Sequence, residues 1–283
     1  MTSQRVTPEL QQWIVAQAQA GHPPQAVLQS MRDSGWDDEV AAAALETTLQ
    51  TRLDEHARAH DLPPPSPVPE PDRADAHSTL RAHDRDVQVL MTLRLPRIVV
   101  FGGLLAGDEC DALVALARER LARSETVDTR SGGSETNAAR TSEGMFFRRA
   151  ETVLCERIEA RIAALLNWPV ENGEGLQILR YGRGAEYKPH YDYFDPAAPG
   201  TPAILARGGQ RVGSLVCYLN TPAQGGATTF PDVGLDVAPV KGNAVFFAYD
   251  RPHPMTRTLH GGAPVGAGEK WVATKWLRAG RFE

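Results

Sequence analysis

The sequence predicts an α+β fold, in which an antiparallel jelly roll or β-sandwich is buttressed by helices and preceded by a small all-helical domain. Short apolar runs separated by glycine, proline and asparagine follow one another from about residue 176 to the C-terminus. Two segments with apolar residues at helical spacing lie ahead of these runs. The first 55 residues show helical patterns alone, and a proline-rich stretch separates them from the remainder.

Composition and charge exclude several classes of function. The 283 residues, 42% of them hydrophobic, are enough for one large domain with a small appendage. Because no window approaches the roughly 18 apolar residues of a membrane span and the first residues lack the apolar run of a signal peptide, we predict a cytoplasmic protein without membrane association. The formal net charge of −5 argues against a nucleic-acid partner.

Residues 1–55 are predicted to form a three-helix module. Thr7 is a suitable N-cap for the first helix, and the third helix is expected to begin at about Asp37. Gly21 and Gly35 are suitable residues just past the ends of the first and second helices. The inward-facing residues of the third helix are expected to be Val40, Ala43, Ala44 and Leu49.

This module is somewhat similar to the ubiquitin-associated type of three-helix domain. The similarity rests on the string from Met31 to Trp36 and on the alanine-rich stretch from Ala41 to Leu45. It implies a small module that packs against, or binds, another protein. A DNA-binding helix-turn-helix is the alternative, and it is disfavoured because basic residues are sparse here.

Residues 56–88 are predicted to form a linker and residues 89–283 the main domain. The linker contains six prolines between residues 63 and 71, followed by mixed charge, a composition that favours an extended, semi-rigid chain. In the main domain, Asp108 is expected to cap one helix and a second is expected from Glu151 to Leu166. The predicted strands are Ile98–Phe101, Leu176–Tyr181, Glu186–Tyr193, Val212–Leu219, Ala244–Tyr249 and Lys270–Leu277.

A metal site is indicated by His190 and Asp192. Residues two apart on a strand point to the same face, so one strand would supply an imidazole and a carboxylate. A further histidine from a distant strand would complete a two-histidine, one-carboxylate set, which leaves coordination positions open and suits Fe(II) oxygenases. His253 and His260 are the two histidines available for this third position.

The C-terminal segment carries the more specific pattern. It begins at His260, continues through Pro264-Val265 and reaches the run Gly268-Glu269-Lys270-Trp271. This segment resembles the corresponding motif of the prolyl 4-hydroxylase family of Fe(II)- and 2-oxoglutarate-dependent dioxygenases. Four other stretches match that family in order, and the similarity extends from about Arg97 to the C-terminus: Arg140–Phe146, Tyr181–Gly184 with Tyr187, Val216–Asn220 and Gly225–Pro231.

The resemblance implies a double-stranded β-helix and a set of site residues. It favours His260 over His253 as the third iron ligand, beside His190 and Asp192. Lys270 would bind the distal carboxylate of 2-oxoglutarate, and Trp276, on the same strand face, would wall that pocket. Tyr181 and Thr228 would donate hydrogen bonds to the cosubstrate.

The resemblance also implies residues that contact the primary substrate. Arg140 belongs in the family to a region that engages the peptide, and Tyr187 is a second expected substrate contact. A surface arginine and an ordinary strand residue are the alternatives. Residues 124–139 and 195–209, rich in small and polar residues, are expected to be loops, the first near the mouth of the site.

The predicted function is therefore that of an Fe(II)- and 2-oxoglutarate-dependent dioxygenase that uses O2, releases succinate and CO2, and hydroxylates prolyl residues in a peptide or protein. Ascorbate dependence is a further family expectation. The same chemistry on another side chain or a small molecule is an alternative, because the iron and cosubstrate residues do not fix the primary substrate. A non-catalytic jelly-roll binding protein is a second alternative.

Overall fold

The computed structural model divides the chain into two compact units, residues 1–64 and 65–283. It describes residues 4–72, 78–123, 125–127, 134–136 and 141–283. Among the helices in these ranges, none has both the length and the apolar content that crossing a membrane would require.

The first unit consists of three helices around a small apolar core. They are α1 (Pro8–Gln19), α2 (Pro24–Asp33) and α3 (Asp38–Ala59). The Thr7 hydroxyl accepts a hydrogen bond from the Leu10 amide, so the predicted cap of α1 is present. The Asp37 carboxylate accepts from the Glu39 and Val40 amides and caps α3. The buried core residues are Ile14, Val27, Met31, Ala41, Ala44 and Leu45.

The inward face of α3 differs in part from the prediction. Ala41 and Leu45 are buried with Ala44, whereas Ala43 is exposed and Val40 is half-buried. Alanine has the same helix propensity on either face, so an alanine-rich helix does not define its buried side by composition alone.

The predicted linker of residues 56–88 is too long at both ends. Helix α3 continues to Ala59, and the hairpin of β1 (Thr79–Ala82) and β2 (Arg85–Leu93) occupies the other end of that range. The hairpin was missed because it lies at the edge of a sheet and mixes polar with apolar residues, so it lacks the longer apolar run of a buried strand.

The second unit confirms the α+β prediction. Its larger sheet has nine strands in the order β1-β2-β3-β14-β10-β17-β8-β7-β4 among the described residues. All its pairings are antiparallel. The remaining strands of this sheet are β3 (Arg97–Gly102), β4 (Ala122–Arg123), β7 (Glu143–Phe146), β8 (Gln177–Tyr181), β10 (Arg211–Tyr218), β14 (Ala244–Ala248) and β17 (Lys270–Arg278).

A smaller four-stranded sheet has the order β13-β12-β15-β9. Two further pairs are β5 with β6 and β11 with β16. The β5–β6 pair lies inside the stretch 124–139 that was predicted to be a loop. The strands outside the larger sheet are β5 (Glu125–Val127), β6 (Ser134–Thr136), β9 (Tyr187–His190), β11 (Gln224–Gly225), β12 (Thr228–Phe230), β13 (Leu235–Val237), β15 (His260–Gly262) and β16 (Val265–Ala267).

Helices cover one face of the larger sheet. They are α4 (Gly107–Arg118) and α5 (Val153–Leu166), and a short α6 (Thr201–Leu205) lies in the predicted loop 195–209. Helix α4 begins one residue before Asp108, and the Ala106 amide donates to Glu109, so Asp108 is not the cap. Thr152 caps α5, which places its first residue two positions after Glu151.

A buried ion-pair network joins α4 and α5 to the turn before β2. Arg161 is 2% exposed and donates to Asp84 at 2.8 Å and to Glu109 at 2.7 Å. Removing one partner of such a network leaves the other charges buried and unpaired, which is more costly than losing the pair itself.

Replacing Arg161→Leu is therefore expected to lower the free energy of unfolding by about 3–5 kcal/mol. Arg81→Leu is the matched control, because its pair with Asp86 is exposed and worth at most about 1 kcal/mol. Denaturant unfolding followed by tryptophan fluorescence measures both. Equal losses in the two variants would contradict a structural role for the buried network.

Candidate active site

Two histidines and one carboxylate come together between the two sheets. The donor atoms of His190, Asp192 and His260 all lie within 4.8 Å of one another. His190 ends β9 and His260 begins β15, and the two are direct cross-strand partners. Antiparallel pairing therefore brings together residues 70 positions apart in the chain.

Asp192 lies beyond the end of β9, so the expectation that one strand carries both His190 and Asp192 was wrong. The ladder with β15 stops at the His190–His260 pair, and the chain then leaves the sheet. The carboxylate nevertheless faces both rings. Its Oδ1 lies 3.5 Å from His190 Nε2, and its Oδ2 lies 3.5 Å from His260 Nε2.

Backbone carbonyls fix the orientation of both imidazoles. His190 Nδ1 lies 2.9 Å from the Lys188 carbonyl, and His260 Nδ1 lies 3.0 Å from the Thr258 carbonyl. A carbonyl can only accept a hydrogen bond, so each Nδ1 carries the proton. In the neutral ring Nε2 then holds a free lone pair, the form in which histidine binds a metal.

The electrostatics keep His260 and Asp192 in their metal-binding forms. Burial lowers the pKa of His260 to about 4, which holds the ring neutral at pH 7. Burial alone would raise the pKa of Asp192, but the nearby His260, His190 and Arg211 outweigh that effect and lower it, which keeps the carboxylate ionised.

A hydroxyl pair supports the Asp192 carboxylate from the larger sheet. Ser214 on β10 donates to Asp192 Oδ2 at 2.5 Å, and the Ser214 hydroxyl lies 2.9 Å from the Tyr249 hydroxyl. All three side chains are at most 7% exposed. With Oδ2 engaged by Ser214, Oδ1 is the oxygen left with the freer lone pairs.

Lys270 is a buried cation that faces the same cavity. It is 4% exposed, and no carboxylate pairs with it in the described part of the chain. Desolvation lowers its pKa to about 8. Its Nζ lies 5.6 Å from the centre of the Tyr181 ring and 5.8 Å from that of Tyr218. A buried ammonium without a counter-ion is costly, so the cavity favours an anionic ligand here.

Trp276 lies six residues beyond Lys270 on β17 and lines the same cavity. Its buried Nε1 has no hydrogen-bond partner. The Arg211 guanidinium lies 4.0 Å from the ring centre, and a buried carboxylate, Glu174, holds both Arg211 and Arg278 at 2.7 Å. This cluster fixes the plane of the indole ring.

Other predicted residues are brought to the cavity as well. Tyr181 is the cross-strand partner of Lys270, and Thr228 accepts a hydrogen bond from the Tyr218 hydroxyl at 2.9 Å. Tyr187 stacks on His190, with 3.7 Å between ring centres. Arg140 lies outside the described residues.

His253 stands apart from the histidine and carboxylate group. It is half-buried, and its Nδ1 accepts from the Met255 amide in a one-turn 3-10 helix, Pro254–Thr256.

Glycines permit the close approach of β15 to its neighbours. A Cβ at Gly261 would lie 2.9 Å from the Tyr187 carbonyl oxygen. A Cβ at Gly226, whose φ is +74°, would lie 3.2 Å from Cδ of Lys270. Side chains at these two positions would push β9 away from β15 or displace the lysine.

Comparisons with known proteins point to one family. Residues 176–278 match the model of the 2OG-Fe(II) oxygenase superfamily. Prolyl 4-hydroxylase 5 of Arabidopsis thaliana is 38% identical over 209 residues, which cover 66% of this chain and 70% of that protein. Prolyl 4-hydroxylase 1 of the same plant is 38% identical over 224 residues, covering 70% and 77%. The chain belongs to the prolyl 4-hydroxylase family.

Among solved structures, the viral collagen prolyl hydroxylase of Paramecium bursaria Chlorella virus-1, as its 2OG complex, is 30% identical, with a TM-score of 0.49 over 64% of this chain and 95% of that one. Family membership confirms the predicted enzyme class, a 2-oxoglutarate-dependent dioxygenase with Fe(II) and O2 as cofactor and cosubstrate. The histidine and carboxylate group described above fits that cofactor.

Sequence reasoning missed the residues that support the site in this family member. Ser214, Tyr249, Glu174 and Arg211 each contact a site residue or its neighbour, yet none belongs to a histidine and carboxylate pattern. Ser214 and Trp276 are cross-strand partners, so the register of β10 against β17 places the serine in the site, and that register could not be predicted from the sequence.

Ser214→Ala is expected to weaken binding of a divalent metal about 10- to 100-fold, because an oriented carboxylate loses its hydrogen-bond donor. Anaerobic calorimetric titration with Mn(II), which accepts the same nitrogen and oxygen ligands, measures the affinity. Ser214→Thr keeps the hydroxyl and is the matched control, expected to bind within a few-fold of the parent. Unchanged affinity in the alanine variant would refute the role.

Proposed function

We propose that this chain hydroxylates prolyl residues in a peptide or protein, with 2-oxoglutarate and O2 as cosubstrates and with release of succinate and CO2. The observation that carries the proposal is Lys270, a cation that is 4% exposed, has no carboxylate partner among the described residues and faces the cavity of the metal-donor group. The relatives named as prolyl 4-hydroxylases support the choice of substrate.

In this proposal His190, Asp192 and His260 hold the iron. Three protein ligands on one side leave the remaining positions for cosubstrates, and bound Fe(II) would supply activation of O2 coupled to oxidative decarboxylation of 2-oxoglutarate. The protein's own contribution is to keep both Nε2 atoms unprotonated, to keep Asp192 ionised and to exclude water from a cavity walled by two sheets.

The cosubstrate would lie along β17. Lys270 would bind its distal carboxylate, and Tyr181 and Thr228 would supply hydroxyl groups near that end. Trp276 would close the wall with its ring.

The primary substrate would enter beside Tyr187, whose ring covers His190. Tyr187 is the proposed contact for a prolyl ring, because aromatic faces bind apolar rings without leaving a polar group unpaired. Arg140 stays a prediction as a second peptide contact. Hydroxylation of another side chain or of a small molecule is the competing proposal.

Incubation of the chain with Fe(II), 2-oxoglutarate and a proline-rich peptide tests the function. We expect succinate to form in proportion to peptide hydroxyproline, measured by mass spectrometry. The prolyl assignment would be overturned if the peptide does not increase succinate formation and does not gain the mass of one oxygen atom. Absence of succinate under every condition, including host-cell extract as substrate, would overturn the enzyme assignment.

His190→Ala is expected to abolish turnover, since it removes one of three metal ligands. The matched control is His253→Ala, which removes a histidine outside that group and is expected to keep activity near that of the parent. Initial rates of succinate formation with saturating iron measure both variants. Retained activity in His190→Ala would remove that residue from the ligand set.

The catalytic efficiency with 2-oxoglutarate, kcat/KM, is expected to fall as pH rises through about 8. The Lys270 ammonium loses its proton there and no longer attracts a carboxylate. Since kcat/KM reports the free enzyme, kcat/KM for 2-oxoglutarate should drop about tenfold per pH unit above that value. Lys270→Arg, charged throughout this range, is the control and should lack the drop near pH 8. A parallel fall in parent and variant would contradict the assignment.

Three sequence-based expectations stay predictions. They are ascorbate dependence, cytoplasmic localisation, and binding of another protein by helices α1 to α3.

A further inference from the structure

The proline-rich segment, residues 63–71, is a feature that the iron and cosubstrate site does not explain. Six of the chain's 21 prolines lie in these nine residues. The segment is free of helix and strand, as expected for an extended chain that favours the polyproline II conformation. Its prolines are Pro63, Pro64, Pro65, Pro67, Pro69 and Pro71.

The second half of the segment is docked on the domain that begins at residue 65. The Glu70 amide donates to the Leu166 carbonyl at 2.9 Å, and Val68 packs against the main apolar core. Pro69 and Pro71 are buried. The prediction that this stretch belongs to a linker between the domains is therefore wrong for these residues.

The first half presents its proline rings to solvent. Pro64, Pro65 and Pro67 are exposed, and the anchoring contact nearby is made by a backbone group, the Ser66 amide, which donates to the Asp250 carbonyl at 2.6 Å. Proline lacks an amide proton, so the prolines beside Ser66 cannot donate a backbone hydrogen bond. Ser66 is therefore the residue that anchors this part of the chain. Accessible and inaccessible prolines thus occur in one short segment.

The docked segment lies on the far side of the larger sheet from its own site. Pro69 Cγ lies 3.3 Å from the position that a Cβ on Gly213 would occupy. Successive strand residues point to opposite faces, and Ser214, the next residue, points to Asp192. While docked there, Pro69 cannot enter the cavity of the same molecule. The exposed prolines are tethered to the domain through Ser66, whose amide is bound to the Asp250 carbonyl, so a second copy of the chain is the expected source of the site.

We propose that Pro64, Pro65 and Pro67 are hydroxylated in trans by the active site of a second copy of this chain. The inference rests on the proposed prolyl hydroxylase function. In the reaction, one ring C–H bond becomes C–OH with one atom of O2, while the other oxygen atom enters succinate. The two electrons that O2 needs beyond the C–H bond come from 2-oxoglutarate, which loses CO2.

Burial sets the selectivity within the segment. A preformed extended chain loses little entropy when it binds a cavity as a peptide, and exposed rings need no unfolding to reach it. Pro69 and Pro71 are instead buried, so their rings would have to leave the domain before they could enter a cavity. The expected pattern is modification of the three exposed prolines and none of the two buried ones.

The test uses a full-length, 15N-labelled His190→Ala copy, which cannot modify itself, as substrate for the unlabelled parent chain. Both are incubated with Fe(II), 2-oxoglutarate and O2. Trypsin cuts after Arg58 and Arg73, so residues 59–73 form one peptide that contains the whole segment. Fragmentation of the labelled peptide assigns each one-oxygen gain to a residue. A labelled Lys270→Ala copy repeats the test if His190→Ala does not fold.

The expected result is a mass gain of one oxygen atom on one or more of Pro64, Pro65 and Pro67 in the labelled copy. This gain should be absent when all three prolines are replaced by alanine. A separate proline-rich peptide is incubated with the same enzyme. This inference would be overturned, and the proposed function would stand, if that peptide is hydroxylated while the segment of the labelled copy stays unmodified. The same conclusion would follow if the segment gains oxygen only on Pro69 or Pro71. No hydroxylation of either substrate would overturn both.

Discussion

The organisation of this molecule depends on one strand, β17, that is buried on both faces. Lys270, Val272, Thr274 and Trp276 line the cavity, whereas the alternate residues Trp271, Ala273 and Leu277 pack in the core beneath the helices. Because neighbouring strands pair with β17 in a fixed register, Tyr181 lies opposite Lys270 and Ser214 lies opposite Trp276. A shift of one residue would exchange the two faces and dismantle the site together with the core.

The same strand shows how a structural charge differs from a ligand-binding charge. Lys275 is buried on the helix side and forms an ion pair with Glu159, and Arg278 is held by Glu174. Lys270 is buried to a similar degree on the cavity side without any such carboxylate in the described ranges. A buried charge needs a partner of opposite charge. Carboxylates of the protein compensate Lys275 and Arg278, whereas Lys270 requires an anionic ligand.

Sequence reasoning succeeded where function fixes residue type and spacing. His190 and His260 stand in motifs that the fold brings face to face, and the antiparallel domain followed from short apolar runs with turn residues between them. It failed where tertiary register decides the outcome. Ser214 reaches Asp192 through strand pairing, and the exposed side of α3 was set by packing within an alanine-rich helix. Neither contact leaves a periodic signal.

The cavity wall explains why a dicarboxylic acid with an apolar centre suits this site. Apolar side chains line the space together with Lys270 and the histidine and carboxylate group; they include Leu179, Val216 and Val272. A ligand with one anionic end would satisfy the lysine or the metal, and a fully polar ligand would leave hydroxyl groups unpaired against the valines. In a ligand of two carboxylates joined by methylene groups, one carboxylate pairs with Lys270, the other end binds the metal, and the methylene groups contact the apolar side chains.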